Sequence, residues 1–229
     1  MKEVTRALTA EFLGTFAFVF IGAGVIVIDL ARPGELGLLG IALAHALAFA
    51  VLVTATMNIS GGHLNPAITF ALWLTKKLDS KMAGLYVGTQ LVAAVIAVLC
   101  VKFVLPDMAG LHSDYGVPQI SGLIGDTQAV LLEALLTMFL VSAVFGTLVS
   151  TEAPKVGGFG VGLAVLFAML VGGTMTGGIM NPARAFGPAI ISGNWQAHFI
   201  YWVGPLLGAA AAAGIWGWVL LPKGETTED

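Results

Sequence analysis

Six nearly uninterrupted apolar stretches divide the chain, at about residues 8–28, 37–57, 83–105, 127–149, 158–173 and 197–221. Each is close to the roughly 20 residues that cross a bilayer as a helix. Polar punctuation separates them: Asp29–Glu35, Thr75–Lys81, residues 106–126, Thr151–Lys155 and a tail from Pro222. Two further apolar runs, inside segments 58–75 and 174–191, are only about ten residues long, too short to span. Both follow the same kind of loop. The first reads Ile59-Ser60-Gly61-Gly62-His63-Leu64-Asn65-Pro66-Ala67, the second Met175-Thr176-Gly177-Gly178-Ile179-Met180-Asn181-Pro182-Ala183-Arg184. Pro suits the first position of a helix, where its missing N–H would have no partner, and Asn before it is a good N-cap. Each copy therefore predicts a loop feeding a half-helix. A single Asn-Pro-Ala would be weak evidence, since Asn-Pro also starts turns. Two copies 116 residues apart, each preceded by a hydroxyl residue and Gly-Gly, point to a transport site at the membrane midplane.

The order is three spans with a half-helix inserted, then the same again. Three is odd, so the halves insert with opposite topology. The prediction is an all-α membrane protein of six transmembrane helices plus two re-entrant half-helices, a single domain over 1–229 built as an inverted 3+3 repeat. The repeats cover about 1–105 and 127–222 and are joined by loop 106–126. Composition agrees: 58% of residues are hydrophobic and 10% charged, with a mean hydropathy of +0.94, which favours a membrane protein over a soluble domain. A net charge of −3 offers no basic footprint for nucleic acid. Lys2, Arg6, Lys76, Lys77, Lys81, Lys155 and Lys223 fall on one side of the six-span reading, against Arg32 and Lys102 on the other. The positive-inside rule places both termini in the cytoplasm. The first apolar stretch is not a cleavable signal, being long, interrupted by Glu11 and without a clear cleavage site. The one cysteine, Cys100, reads as a small hydrophobe.

The first and fourth spans both carry Glu-x-x-x-Thr, at Glu11/Thr15 and Glu133/Thr137. A carboxylate inside hydrocarbon needs partners. It is either a proton relay or an acceptor for the backbone N–H groups of a loop at membrane depth, where irregular backbone survives only if satisfied. One Glu and one loop in each half favour the second reading. Thr15 and Thr137 are placed to bond back to their own helices. Gly84-x-x-x-Gly88, Gly158-x-x-x-Gly162 and Gly204-x-x-x-Gly208, with Ala42, Ala46 and Ala50 on one face of the second span, predict close helix contacts. Trp195, Tyr201 and Trp202 predict an interfacial aromatic belt.

The half-helix N-termini carry partial positive charge and free N–H donors. Facing each other at Asn65 and Asn181, they would oppose cations, protons included. The two Asn amides would donate to a passing water. The carbonyls of Gly61, Gly62 and His63, and of Gly177, Gly178 and Ile179, would form a ladder of acceptors. Arg184, in the first turn of a half-helix, is a poor choice for helix stability and a good one for a fixed cation barrier.

On these residues the chain resembles the major intrinsic proteins, the aquaporin and glycerol-facilitator family. The likeness runs from Ala10-Glu11-Phe12-Leu13-Gly14 to Tyr201-Trp202-Val203-Gly204-Pro205. It implies two half-helices meeting at the membrane centre and a homotetramer with one pore per subunit. Carried over by spacing from the Asn-Pro-Ala boxes, the family's four constriction positions fall on His45, Met169, Gly178 and Arg184. This departs from the narrow water-only filter, which has Phe first and His second, and lacks the Trp and Phe of glycerol facilitators. His first and Gly third is similar to the tonoplast intrinsic proteins, which conduct water and in some cases ammonia or urea. On the residue alone, His45 in an apolar span also fits a packed core histidine. Gly178 would widen the constriction and Met169, being flexible, would fill part of the gap. Glycerol facilitators carry Asp after Asn-Pro-Ala-Arg, where this chain has Ala185. His63 either lines the cytoplasmic vestibule or packs under the first loop; His112 reads as a solvated loop residue and His198 as an interfacial one.

No Gly-x-Ser-x-Gly, His-Glu-x-x-His or paired Asp site is present. The expectation is therefore not an enzyme, with no cofactor and no metal. It is a passive channel for water in the plasma membrane that excludes ions and protons and passes other small neutral solutes such as ammonia. A wider glycerol or urea facilitator is the alternative.

Overall fold

The structure, a computed structural model, describes residues 1–105 and 114–222; His112 and Lys223 lie outside them. The described residues form α1 (Lys2–Ala31), α2 (Gly37–Ser60), α3 (Pro66–Leu74), α4 (Ser80–Val104), α5 (Asp126–Val144), α6 (Phe159–Gly172), α7 (Pro182–Ser192) and α8 (Ile200–Ile215). π-Helical turns at Phe145–Val149 and Trp216–Leu220 extend α5 and α8. Five helices, α1, α2, α4 and the extended α5 and α8, are long and apolar enough to cross a membrane. The fifth span is shorter than its apolar stretch: α6 has 14 residues, about 21 Å at 1.5 Å per residue. Beyond it the chain tightens into turns, and the Gly172 carbonyl accepts from the N–H groups of Met175, Thr176 and Gly177 at 3.0, 2.9 and 3.1 Å.

Polarity is inverted relative to a soluble protein. Glu11, Glu133, Asn65, Asn181, Gln90 and Arg184 are buried, while Leu47, Val51, Phe167, Val171 and Leu207 face outward. This suits a hydrocarbon surround, in which polar groups must find partners inside.

Small residues bring the helices together. A Cβ on Gly158 or Gly162 would fall 2.7 Å from the Ala50 carbonyl and 2.6 Å from that of Ala46, so α6 lies directly on α2. Gly204 and Gly208 press α8 onto Val130 and Ala134 of α5, and Gly187 seats α7 on Ala94 of α4. Gly84 and Gly88 depart from the expected close contact: space beside both is open among the described residues. The spacing is the same in all three motifs, but this stripe of α4 faces away from the other helices.

Candidate functional site

Both half-helices start as their sequences dictate. Asn65 Oδ1 accepts from the Ala67 N–H (2.8 Å), and Asn181 Oδ1 from the N–H groups of Ala183 (3.1 Å) and Arg184 (3.3 Å). Pro occupies the first position of each helix. The loops before them have matching backbones. Gly61, Gly62 and Leu64 have φ of 89°, 62° and 51°, and Gly177, Gly178 and Met180 have 91°, 58° and 53°. Glycine accepts these left-handed conformations readily; Leu64 and Met180 bear them against preference.

The two carboxylates hold these loops. Glu11 accepts from the Ser60 hydroxyl (2.7 Å), the N–H groups of His63 (2.9 Å) and Leu64 (2.8 Å) and the Gln90 amide (2.8 Å). Glu133 accepts from the Thr176 hydroxyl (2.6 Å) and the N–H groups of Ile179 (2.9 Å) and Met180 (2.7 Å). Tyr86 and Tyr201 each donate a hydroxyl, at 2.9 Å, to the carbonyls of Ser60 and Thr176. Tyr201 is thus buried behind the second loop, not part of an interfacial belt. Thr15 and Thr137 do not bond back to their helices: both hydroxyls are buried without a hydrogen-bond partner among the described residues. Each i−4 carbonyl already takes a helix N–H, and a second bond there is optional.

The loops meet through their asparagines. Asn65 Nδ2 donates to the Met180 carbonyl (2.9 Å) and Asn181 Nδ2 to that of Leu64 (3.0 Å). Both asparagines line one narrow cavity with His45, Met169, Gly178 and Arg184, walled by Phe18, Phe49, Leu140 and Val165. All four positions expected at the constriction therefore come together.

Arg184 is buried and its guanidinium is held on three sides. Nη1 donates to the Gly116 carbonyl (3.0 Å), Nη2 to that of Gly22 (3.3 Å), and Nε to His45 Nε2 (3.4 Å). His45 Nδ1 lies 2.9 Å from the Ile41 carbonyl. A carbonyl can only accept, so the ring proton sits on Nδ1 and the Nε2 lone pair faces Arg184. Phe18 meets the imidazole edge-on at 5.8 Å. Gly178 is explained differently from the sequence expectation. A Cβ there would lie 3.1 Å from Met169 Cα and 3.3 Å from the Ala168 carbonyl. Its missing side chain lets the loop lie on α6, and adds no open width to the cavity.

The two other described histidines sit apart from this cavity. His63 is packed under the first loop, its Nδ1 3.1 Å from Thr69 Oγ1 and its ring against Tyr86. His198 precedes α8, where it accepts from Trp202 Nε1 at 3.1 Å and meets the edge of Trp195. Several residues at this site went unread in the sequence: Gln90, Tyr86, Gly116 and Gly22. The repeat could have exposed the tyrosines, since Tyr86 and Tyr201 fall 26 and 25 residues after the hydroxyl residues Ser60 and Thr176.

Apolar spans around two half-helices that meet N-terminus to N-terminus, with a buried cation beside the junction, define a pore-forming membrane protein. Residues 1–216 match the model of the major intrinsic protein family, and the chain belongs to that family. It is 40% identical over 229 residues to Aquaporin TIP4-4 of Zea mays, covering 96% of this chain and 88% of the maize protein. It is 41% identical over 235 residues to probable aquaporin TIP3-2 of Arabidopsis thaliana, covering 95% and 85%. Among solved structures, the aquaglyceroporin from Plasmodium falciparum superposes with a TM-score of 0.82 at 24% identity, over 95% of this chain and 97% of the other. That likeness concerns the fold.

Proposed function

We propose that this chain is a passive water channel that excludes ions and protons and admits other small neutral solutes such as ammonia. Its relatives in maize and Arabidopsis are named as aquaporins. The observation that carries the reading is the state of the two asparagines. Each spends its carbonyl oxygen on its own half-helix and one amide N–H on the opposite loop. One N–H of each remains, while each carbonyl oxygen is turned to the N-terminus of its own half-helix. A water between them can only accept, so its oxygen turns toward both and its hydrogens point along the pore. It cannot pass a proton through the asparagines, and the hydrogen-bonded chain of waters is broken there. The half-helix N-termini and Arg184 add positive potential at the same place. Arg184 keeps two of its five N–H groups for the permeant, and His45, Met169 and Gly178 complete the constriction. The carbonyls of residues 61–63 and 177–179 supply acceptors on either side.

The same reading takes both termini to the cytoplasmic side, the plasma membrane as residence and a homotetramer with a pore in each subunit. Stopped-flow light scattering on proteoliposomes tests it. Water flow well above that of empty liposomes, with little glycerol flow, is the expected outcome. Water flow equal to empty liposomes alongside rapid glycerol or urea flow would make the chain a facilitator of larger solutes instead.

A further inference from the structure

Gly22, on α1, is none of the four constriction positions, yet it touches two of them. Its carbonyl accepts from Arg184 Nη2 at 3.3 Å. An ideal Cβ built on it would fall 2.5 Å from His45 Nε2, 2.9 Å from His45 Cδ2 and 3.1 Å from Arg184 Nε. The imidazole therefore occupies the notch in α1 that the missing side chain leaves. The rest of the ring's surroundings leave it little choice of place. Nδ1 is tied to Ile41 at 2.9 Å, and Phe18, one turn before Gly22 on α1, stands edge-on against it. Phe18 is itself braced by Phe49, at 4.9 Å between ring centres.

We propose that Gly22 is a positioning residue of the constriction: its bare backbone sets His45 against Arg184 and thereby sets the width and polarity of the pore. The backbone of Gly22 is helical, so left-handed freedom is not the reason for glycine. Space is. A methyl group there cannot be absorbed by a flexible side-chain end, because the imidazole is pinned on its far side. The ring has to swing off its Ile41 anchor and into the cavity, and Arg184 loses its Nε acceptor. Gly24, two residues on, has open space where its Cβ would be among the described residues and makes a matched control on the same helix.

This inference rests on the water-channel reading, and one set of proteoliposome measurements separates the two. Water and ammonia flow are measured per reconstituted protein for wild type, Gly22→Ala, Gly24→Ala, His45→Ala and the double variant Gly22→Ala/His45→Ala. Wild-type water flow no greater than in empty liposomes would defeat the channel reading itself. Given wild-type flow, Gly22→Ala is expected to reduce water permeability about tenfold, as overpacking displaces the ring, with Gly24→Ala unchanged. In the His45→Ala background Gly22→Ala should have little effect on either solute, because the ring it displaces is gone and only the 3.1 Å approach to Arg184 Nε is left. Equal flow through Gly22→Ala and wild type would overturn the proposal. So would a loss in Gly22→Ala that persists undiminished beside His45→Ala. If Gly22→Ala alone does not reconstitute, the background test still decides: a double variant conducting as His45→Ala does supports the proposal, and one that fails overturns it.

Discussion

Behind the first loop, residues 60–65, stand His63, Thr69 and Gln90; at the corresponding places behind the second, residues 176–181, stand Ile179, Ala185 and Pro205. The loops themselves are nearly superposable in their bonding. Each has a hydroxyl on its Glu, two backbone N–H groups on the same carboxylate and a tyrosine on the carbonyl of its first residue. What differs is where each half places its extra polarity. The first half keeps it behind the loop, in the Glu11–Gln90–Thr69–His63 network. The second half puts it in the pore, as Arg184, where the first half has Ile68. A duplicated frame thus carries a fixed geometry, while the fixed charge facing the permeant comes from the second half alone.

The largest effect should come from the carboxylates, and it should be unequal. Glu133→Gln turns one acceptor into a donor that must face a loop N–H, at a loss of about 3 kcal/mol for the unsatisfied buried groups. Glu11→Gln meets the same conflict with one relief. Gln90 Oε1 is buried without a partner among the described residues, and a turn of that amide lets it accept from the new NH2. Its loss should be about 1 kcal/mol smaller. Thermal unfolding of the two detergent-solubilised variants gives the ranking, and Glu11→Gln as the less stable would show that Gln90 does not cushion the first half. A proton-coupled role for Glu11 predicts something else again: normal stability with altered, pH-dependent transport.

Arg184→Ile would give the second half the residue of the first at this position. With the fixed charge gone, proton and cation leak through proteoliposomes should rise on the order of tenfold, while water flow stays at or above wild type. Unchanged leak would mean that the half-helix termini alone provide the barrier. Gln90→Leu makes the converse change, leaving Glu11 with the three partners Glu133 has. Two bonds are lost, to Glu11 and to Thr69, and one unpartnered carbonyl oxygen disappears, so the stability change should stay under about 2 kcal/mol with water flow unaltered. A larger loss would mean that the polar backing of the first loop is needed to hold it.

How much of this could be read from the chain follows the range of the interactions. The half-helices were legible because Asn-Pro caps a helix using neighbouring residues only. The pairing of Glu11 and Glu133 with the loops was legible because it occurs twice. Gln90 lies 79 residues from the Glu11 it contacts, and nothing around it marks it. The three Gly-x-x-x-Gly motifs look alike, and only packing shows that Gly84 and Gly88 face outward while the other two pairs are clasped. Gly178 reads from sequence as a device for width because spacing identifies a position, not the direction its missing Cβ would point. Gly22 is one glycine among 30, and its role appears only when His45 is seen filling its notch.

The exits of the two half-helices extend the contrast to pH. After α3, Trp73 donates its indole N–H to the Ser80 hydroxyl at 2.9 Å, a bond indifferent to pH in the ordinary range. After α7, Trp202 donates to His198 Nε2 at 3.1 Å, which requires that nitrogen to be unprotonated. Burial pushes the His198 pKa below its ordinary value of 6.5, so the folded protein favours neutral imidazole more than the unfolded chain does. The unfolded chain then binds more protons as pH falls from about 6.5 downward, and stability falls with it. Above 6.5 the contribution is fully present. His198 is only half-buried, so the effect is the smallest of these and confined to the second half. Between pH 7.5 and 5.5 the thermal midpoint should fall slightly in wild type, and that part of the fall should vanish in His198→Phe, which keeps a ring against Trp195. Ser80→Ala should leave the pH dependence as it is. If His198→Phe retains the full dependence, the titrating group lies elsewhere, and the two exits do not differ in their response to acid.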